Sequence, residues 1–497
     1  PLERPGMTLT IGLDVGTQGI KGVVLDPAQS PSIIARATLP LSLLTGLPAG
    51  AAEQNPEDWW QGVVTVIQAL LESDAVEPSA IDAIGVSGQQ HGSVFLDAKD
   101  SVVRPAKLWC DTSTHREAQA LSERLGRAIP VGFTASKVAW LAANEPDAWQ
   151  RTTGVLLPHD FINLRLTGRR VTEAGDASGT GYFDPTTRDW DSVAARETAT
   201  DLLERLPPLI EAGESIGPLE PRVAQELGLS PTVLVSTGGG DNMMSAIGAG
   251  ATRSGIVVVS LGTSATVFTR TDTPVVDPEG VIAPFCSSDG AWLPLLCTMN
   301  CTNVTEEVRA AFGLDSDRAL AQLTEEATAL PAGAQGVTFI PFLQGERVPD
   351  LPLATGTIEG LRPGLLRPAT LFRAALEGVT SNLALGVERL RALGVAVDRV
   401  HLVGGGSKNA LWRTLVADLL GAQVALPLEP ESGALGAAIQ ALWTVRRLDQ
   451  PSLTADDIAA PLVETTPDCI DPDGDRRVAL LSVLEHYRAR IAALSPR

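Results

Sequence analysis

No stretch of about eighteen consecutive apolar residues occurs in this sequence, so no transmembrane helix is expected. The N-terminus also lacks a basic segment followed by an apolar core, which argues against a secretory leader and for a cytoplasmic protein. Pro1 to Gly6 precede Met7 and read as a cloning remnant. Basic side chains are outnumbered, 38 Lys and Arg against 59 Asp and Glu, for a formal net charge of −21. Such a chain repels phosphate backbones and anionic lipid, so neither nucleic acid nor a membrane surface is an expected partner. Five cysteines (Cys110, Cys286, Cys297, Cys301 and Cys469) are odd in number and scattered, which fits reduced thiols rather than a disulfide framework. Cys297 and Cys301 have no second Cys/His pair nearby, and His115, His159, His401 and His486 do not cluster, so a metal site built on them is not expected.

Three common enzyme signatures are missing as well. There is no G-x-x-x-x-G-K-[ST] phosphate loop and no G-x-G-x-x-G dinucleotide fingerprint. Ser87 stands in no G-x-S-x-G elbow, so a serine hydrolase is not supported. Aromatics are sparse at 4%, while 47 glycines and 35 prolines imply many tight turns in a well-packed α/β chain. A length of 497 residues exceeds what one hydrophobic core usually serves.

What is present reads twice. Residues 9–16 form an apolar strand, Thr17 to Gly19 a turn, and Lys21 to Leu25 a returning strand. Residues 256–268 repeat the plan around Ser260-Leu261-Gly262-Thr263-Ser264. Ile84 to Gln90 is a strand entering a glycine-bearing loop, matched by Val400 to Ser407. Val233 to Ser236 leads through Gly238-Gly239-Gly240-Asp241 into small residues at 244–250. Val424 to Pro427 leads likewise through Glu431-Ser432-Gly433 into Ala434 to Ala438. Three pairs in one order point to an internal duplication of an α/β domain, with a nucleotide held between the copies. The expected division is a first domain over 8–250, a second over 251–445, and a helical tail over 446–497 docked on the second. Helices are expected over 370–393, capped by Thr370 after Pro368, and over 409–420, stopped by Gly421. In the tail, Leu480, Leu484, Tyr487, Ile491 and Leu494 share one face.

Candidate chemistry sits at the strand ends. Gly16 and Thr17 suit a phosphate-binding turn, with Lys21 adding positive charge and Asp14 a partner for Mg²⁺, through water. Gly262 and Thr263 are the matching loop, and Gly404 to Gly406 would face the adenosine. Asp241, at the start of a helix, fits a general base that takes a proton from a hydroxyl during phosphoryl transfer. Asn242 beside it, and Gln90 and His91 after a strand, are planar hydrogen-bonding groups of the kind that read sugar hydroxyls.

Together these motifs resemble the FGGY carbohydrate kinases. The marks are Asp-Val-Gly-Thr at 14–17, Gly-Gln-Gln-His-Gly at 88–92, Leu-Trp-Cys-Asp at 108–111 and Gly-Gly-Gly-Asp-Asn at 238–242. They continue with Ser-Leu-Gly-Thr-Ser at 260–264, Pro-Phe-Leu-Gln-Gly-Glu-Arg at 341–347, Leu-Glu-Gly-Val at 376–379 and Gly-Gly-Gly-Ser-Lys-Asn at 404–409. The resemblance implies two duplicated actin/hexokinase-like (ribonuclease H-like) domains with ATP–Mg²⁺ in an interdomain cleft. It implies Asp241 as catalytic base and Asp14 as the acid near metal and phosphate. By the same token Gln90, His91 and Asn242 contact sugar, and Gly405, Gly406 and Asn409 contact nucleotide. The implied reaction is ATP-dependent phosphorylation of a small sugar, D-xylulose first, with ribulose, a deoxy-sugar, gluconate or a polyol as alternatives. A homodimer is compatible with the family, and an actin- or chaperone-like ATPase is the rival from another class.

Overall fold

Two β-sheets with the same strand plan organise the chain, as seen in a computed structural model that describes residues 8–494. Pro1 to Gly6 lie outside the described residues. In the first sheet the order is Ser215–Pro218, Leu234–Ser236, Ile81–Gly88, Leu9–Val15, Gly19–Leu25, Ile33–Pro40, with Gly239–Gly240 also pairing to Ile81–Gly88. Leu9–Val15 runs antiparallel to Gly19–Leu25 and parallel to Ile81–Gly88. The second sheet has the order Ala283–Cys286, Trp292–Thr298, Ala265–Thr269, Gly255–Leu261, Val397–Val403, Gln423–Ala425. There Gly255–Leu261 runs antiparallel to Ala265–Thr269 and parallel to Val397–Val403. Each sheet thus joins an antiparallel strand pair to parallel strands, in line with the strand–turn–strand repeat, and in the first sheet Ser215–Pro218 adds an antiparallel edge.

In the first sheet Leu9–Val15 alternates large apolar residues with Thr10, Gly12 and Asp14, because a helix backbone packs on its second face: an added Cβ on Gly12 would stand 1.9 Å from Ala434 O. In the second sheet Gly255–Leu261 carries a continuous apolar run, as a strand covered on both faces does. Leu9, Ile11, Leu13 and Val15 are fully buried in the first core, and Val257, Val259 and Leu261 in the second. The helix Pro368–Ala392 runs through the second core and buries Leu371, Ala375, Leu376, Val379, Leu383 and Leu390. Its start differs from expectation. Pro368 occupies the first turn, Arg367 is the residue before the helix, and Thr370 is buried inside it rather than capping it. Proline is preorganised for a first helical position, so it sets the boundary two residues earlier than Thr370 would. Gly421 ends the Ala410–Leu420 helix in the left-handed conformation, as the sequence indicates.

The chain packs into two compact units that do not follow chain order. One comprises residues 1–252, 285–293 and 431–463; the other 253–284, 294–430 and 464–497. The helix Ser432–Asp449 therefore packs in the first unit, although most of it falls in the 251–445 stretch of the sequence. The cause is local. Gly436 lies where an added Cβ would stand 1.8 Å from Met244 O, and Gly248 where one would stand 1.9 Å from Ser432 O. Small residues let this helix and Asp241–Gly248 touch backbone to backbone, and Ala434, Ala437, Ala438, Leu442 and Trp443 then bury against Val23, Leu25, Met244 and Ile247. The terminal helix Gly474–Leu494 stays with the second unit. It buries Leu480 and Leu484 in the main core and Tyr487 and Ile491 against Ile340 and Phe342, while Leu494 is exposed.

Candidate functional site

Strand register assembles the site of the first unit. In the parallel ladder Asp14 stands opposite Ser87 and Val15 opposite Gly88, while Gly239 and Gly240 pair with Ser87 and Gly88. All three strands end on the same edge, where ligands of open α/β sheets bind. That edge carries Asp14, Gln89 to His91, and Asp241 with Asn242.

Asp241 is the first residue of its helix, and Gly240 precedes it as cap residue. Asn242 Nδ2 donates to Gln90 Oε1 at 2.8 Å and lies 3.2 Å from Asp241 Oδ1, which also accepts from Asn242 N at 2.8 Å. Three of the expected residues thus form one connected network. Burial, then the charges of Asp14 and Asp176, push the Asp241 carboxyl up to about 8, outweighing its backbone hydrogen bonds. The simple picture of a helix start stabilising the carboxylate is overridden by its neighbours. Asp14 is raised too, chiefly by burial, although Ser87 Oγ donates to its Oδ1 at 2.6 Å.

Other expected residues have partners that the sequence did not announce. Lys21 Nζ pairs with Glu431 at 2.5 Å. The Thr17 hydroxyl donates to Gln89 Oε1 at 2.7 Å and accepts from the half-exposed Trp109 indole at 3.0 Å. Gln89 is in turn tied to Gln54 at 3.1 Å, so of the two adjacent glutamines one braces the Thr17 turn and the other faces Asn242. His91 sits at φ 66, unusual for a non-glycine residue, with its ring 4.9 Å from Phe133 and 6.2 Å from Phe285.

Sequence reasoning missed what lies beneath Gln90. His159, fully buried, places Nδ1 2.6 Å from Asp176 Oδ2 and Nε2 3.0 Å from Asp160 Oδ1. Burial alone would lower its pKa, but Asp160, Asp176 and Glu173 outweigh that and push it up to about 9. These residues come from two helices about a sequence-distant strand end, and neither composition nor spacing marks them as a group.

In the second unit, Ser260 pairs with Val403, which sets the Gly262–Thr263 turn beside the glycines that follow Val403. The turn is clasped from below: Cys301 N donates to Thr263 O at 3.1 Å and Thr302 N to Gly262 O at 3.0 Å. The neighbouring residues are fixed by buried Glu346, which accepts from Met299 N at 2.7 Å and Asn300 Nδ2 at 3.0 Å. The two candidate glycines of the next loop differ in role. An added Cβ on Gly405 would meet open space, whereas one on Gly406 would stand 2.8 Å from Leu261 Cβ and 3.0 Å from the Trp412 ring. Asn409 caps the following helix through Trp412 N at 3.0 Å, and its Nδ2 donates to Thr324 at 2.9 Å.

Two sheets of one plan, each with glycine-bearing loops at the ends of parallel strands, define an actin/hexokinase-like sugar-kinase fold. Residues 9–248 match the N-terminal domain, and residues 257–445 the C-terminal domain, of the FGGY family of carbohydrate kinases, and the chain belongs to that family. It is 41% identical over 449 residues to the xylulose kinase of Haemophilus influenzae, covering 87% of this chain and 90% of that protein. A crystal structure described as a "xyloylose kinase" from Brucella ovis superposes with a TM-score of 0.90 at 32% identity, covering 98% of this chain and 99% of the other. Gluconate kinase from Lactobacillus acidophilus has the same fold, with a TM-score of 0.87 at 24% identity over 98% of each chain.

Proposed function

We propose that the protein phosphorylates D-xylulose at the expense of ATP, giving D-xylulose 5-phosphate. The observation that carries this reading is the network in which Asn242 bridges Gln90 and Asp241, set in a chain 41% identical to a xylulose kinase. Gln90, His91 and Asn242 hold the sugar and direct its primary hydroxyl toward Asp241. As that oxygen attacks the γ-phosphorus and the bond to ADP breaks, the hydroxyl proton passes to the Asp241 carboxylate. A pKa of about 8 suits this task, because a base works best when its pKa lies near the working pH. In the second unit nucleotide phosphates are assigned to the Gly262–Thr263 turn and adenosine to Gly405, where an added Cβ would meet open space, with Gly406 and Asn409 shaping the loop; in the first unit the Thr17 turn keeps its reading as a phosphate turn.

Magnesium fits the residues present. Asp14 and Asp241 are both raised by burial, and the charge of Asp14 raises Asp241 further, a repulsion that a divalent cation would relieve. Asp14 would hold the ion, through water, and the ion would neutralise phosphate charge. The protein acts in the cytoplasm in this reading, in keeping with five cysteines that form no disulfide. Among the described residues no helix is long and apolar enough to cross a membrane. A homodimer is part of this reading by analogy with the family, and sedimentation velocity would test it.

The deciding experiment is ADP release with Mg²⁺–ATP against D-xylulose, D-ribulose, L-ribulose, L-fuculose, gluconate and glycerol. D-xylulose is expected to give the highest kcat/KM. Preference for another acceptor would reassign the sugar, and steady hydrolysis that no acceptor stimulates would replace the kinase with an ATPase.

A further inference from the structure

A side-chain amide donates at one end and accepts at the other, so the end it offers a ligand is fixed by what its buried end meets. In the first unit that choice can be traced from the core outward. His159 lies between Asp160 and Asp176, both buried: its Nδ1 is hydrogen-bonded to Asp176 Oδ2 at 2.6 Å, while Nε2 stands 3.0 Å from Asp160 Oδ1 without hydrogen-bond geometry. Asp176 is fixed at its backbone as well, since its N–H donates to Glu173 Oε1 at 2.6 Å. Its remaining oxygen, Oδ1, lies 3.5 Å from Gln90 Nε2. That oxygen accepts, so Gln90 turns its NH₂ inward and its oxygen toward Asn242. Gln90 Oε1 then accepts from Asn242 Nδ2 at 2.8 Å, and the same NH₂ lies 3.2 Å from Asp241 Oδ1. One hydrogen of the Gln90 NH₂, one lone pair of its Oε1 and both hydrogens of the Asn242 NH₂ have protein partners, which leaves Oδ1 as the atom that Asn242 offers a ligand beside the base.

We infer that Asp176, seated by His159, is a positioning residue that sets the polarity of the sugar site through Gln90, so that Asn242 presents an oxygen. The site then selects a ligand carrying a second, proton-donating hydroxyl close to the one that reacts. This rests on the sugar-kinase reading and deepens it: Asp176 and His159 act through Gln90 and need not touch the sugar.

Substitution can invert the relay. In Asp176→Asn the new amide gives its oxygen to His159 and its NH₂ to Gln90, so Gln90 turns round and Asn242 with it. The KM for sugar should rise about tenfold or more, the range of one misdirected hydrogen bond, while the KM for ATP stays within about twofold. Sugar binding without nucleotide, followed by calorimetry, should weaken to the same degree. Adding Gln90→Glu to Asp176→Asn puts an acceptor-only group between two NH₂ groups, restores the orientation of Asn242, and should recover most of the sugar affinity. The double variant also restores the lost charge, so it can be read even where the single variant folds poorly. His159→Gln keeps Asp176 as an acceptor toward Gln90 and should change the sugar KM by less than about threefold. An unchanged sugar KM in Asp176→Asn, or no recovery in the double variant, would overturn the inference. So would parallel loss of sugar and ATP affinity with a lowered melting temperature, the mark of a merely structural role. Failure of the kinase reading looks different: the unmodified protein itself would bind no sugar of the panel, and the inference would fall with it.

Discussion

At the scale of single residues, the site works by withholding solvent and compensation from carboxylates. Asp241 is the clearest case, because burial and two neighbouring acids keep its proton affinity high. Asp241→Asn removes the proposed base and preserves the shape, so kcat should fall by about 10²–10⁴ in steady-state assays. Nucleotide binding by calorimetry should stay nearly constant, because the loops assigned to nucleotide lie in other segments. His159 makes the converse prediction. Its pKa rises from an ordinary 6.5 to about 9 in the folded protein. The charge therefore stabilises the fold fully below about pH 6.5, and that contribution is lost as pH rises through 9. The melting-temperature gap between the natural protein and His159→Gln should be largest near pH 6 and close above pH 9; a gap independent of pH would remove the charge from the explanation. Asp14, Asp241, Gln90 and Asn242 were legible in the sequence because glycine-bearing strand ends flank them. Asp176 and His159 were not, because what joins them to Gln90 is proximity created by folding. Likewise Thr17 is readable as a turn residue, but its bonds to Gln89 and Trp109 depend on segments 72 and 92 residues away.

At the scale of elements, glycine and alanine decide which helices can meet. The small residues of 244–250 and 434–438 were legible as a close-packing pattern, but not that the two runs pack on each other. Helical spacing shows that a face is smooth, while its partner is fixed only in three dimensions. Met244 O stands 1.8 Å from where a Gly436 side chain would begin, and backbone oxygen cannot swing aside as a flexible side chain can. Gly436→Ala should therefore lower stability by about 1–3 kcal/mol or more, as overpacking of a tight interface does. Gly474→Ala is the control, since nothing lies within 4 Å of the added atom. Its effect should stay within about 0.5 kcal/mol. Urea unfolding of both variants checks this; equal effects would mean that the helix pair yields more easily than its geometry implies. The start of the Pro368–Ala392 helix makes a similar point about boundaries. Thr370 can cap a helix in isolation, yet the proline two residues earlier claims the first turn, and Thr370 ends up 2% exposed in the core.

At the scale of the whole chain, a duplication legible as a linear repeat does not yield two linear domains. The repeat was visible because each half spells strand, glycine turn, strand in the same order, and the sheets follow it. The expected boundaries at 250 and 445 assumed that each half keeps its own closing helix. The helix of the second half instead completes the core of the first unit, where Ala434, Leu435, Ala438 and Leu442 cover Val23, Leu25, Met244 and Ile247. A fragment ending at Thr252 would expose those four side chains together with the glycine-lined face of Asp241–Gly248. Residues 8–252 expressed alone should aggregate or bind a hydrophobic dye, without a cooperative melting transition. The same fragment joined through a flexible linker to 431–463 should melt cooperatively and bind the dye less. If 8–252 folds cooperatively without the helix, the sequence-based boundary is the autonomous one and the returning segment only decorates it. If only the joined form folds, the chain must be synthesised through Val463 before the unit carrying Asp14, Gln90 and Asp241 can close, and the proposed base is held in place by a helix that the sequence repeat assigns to the other half.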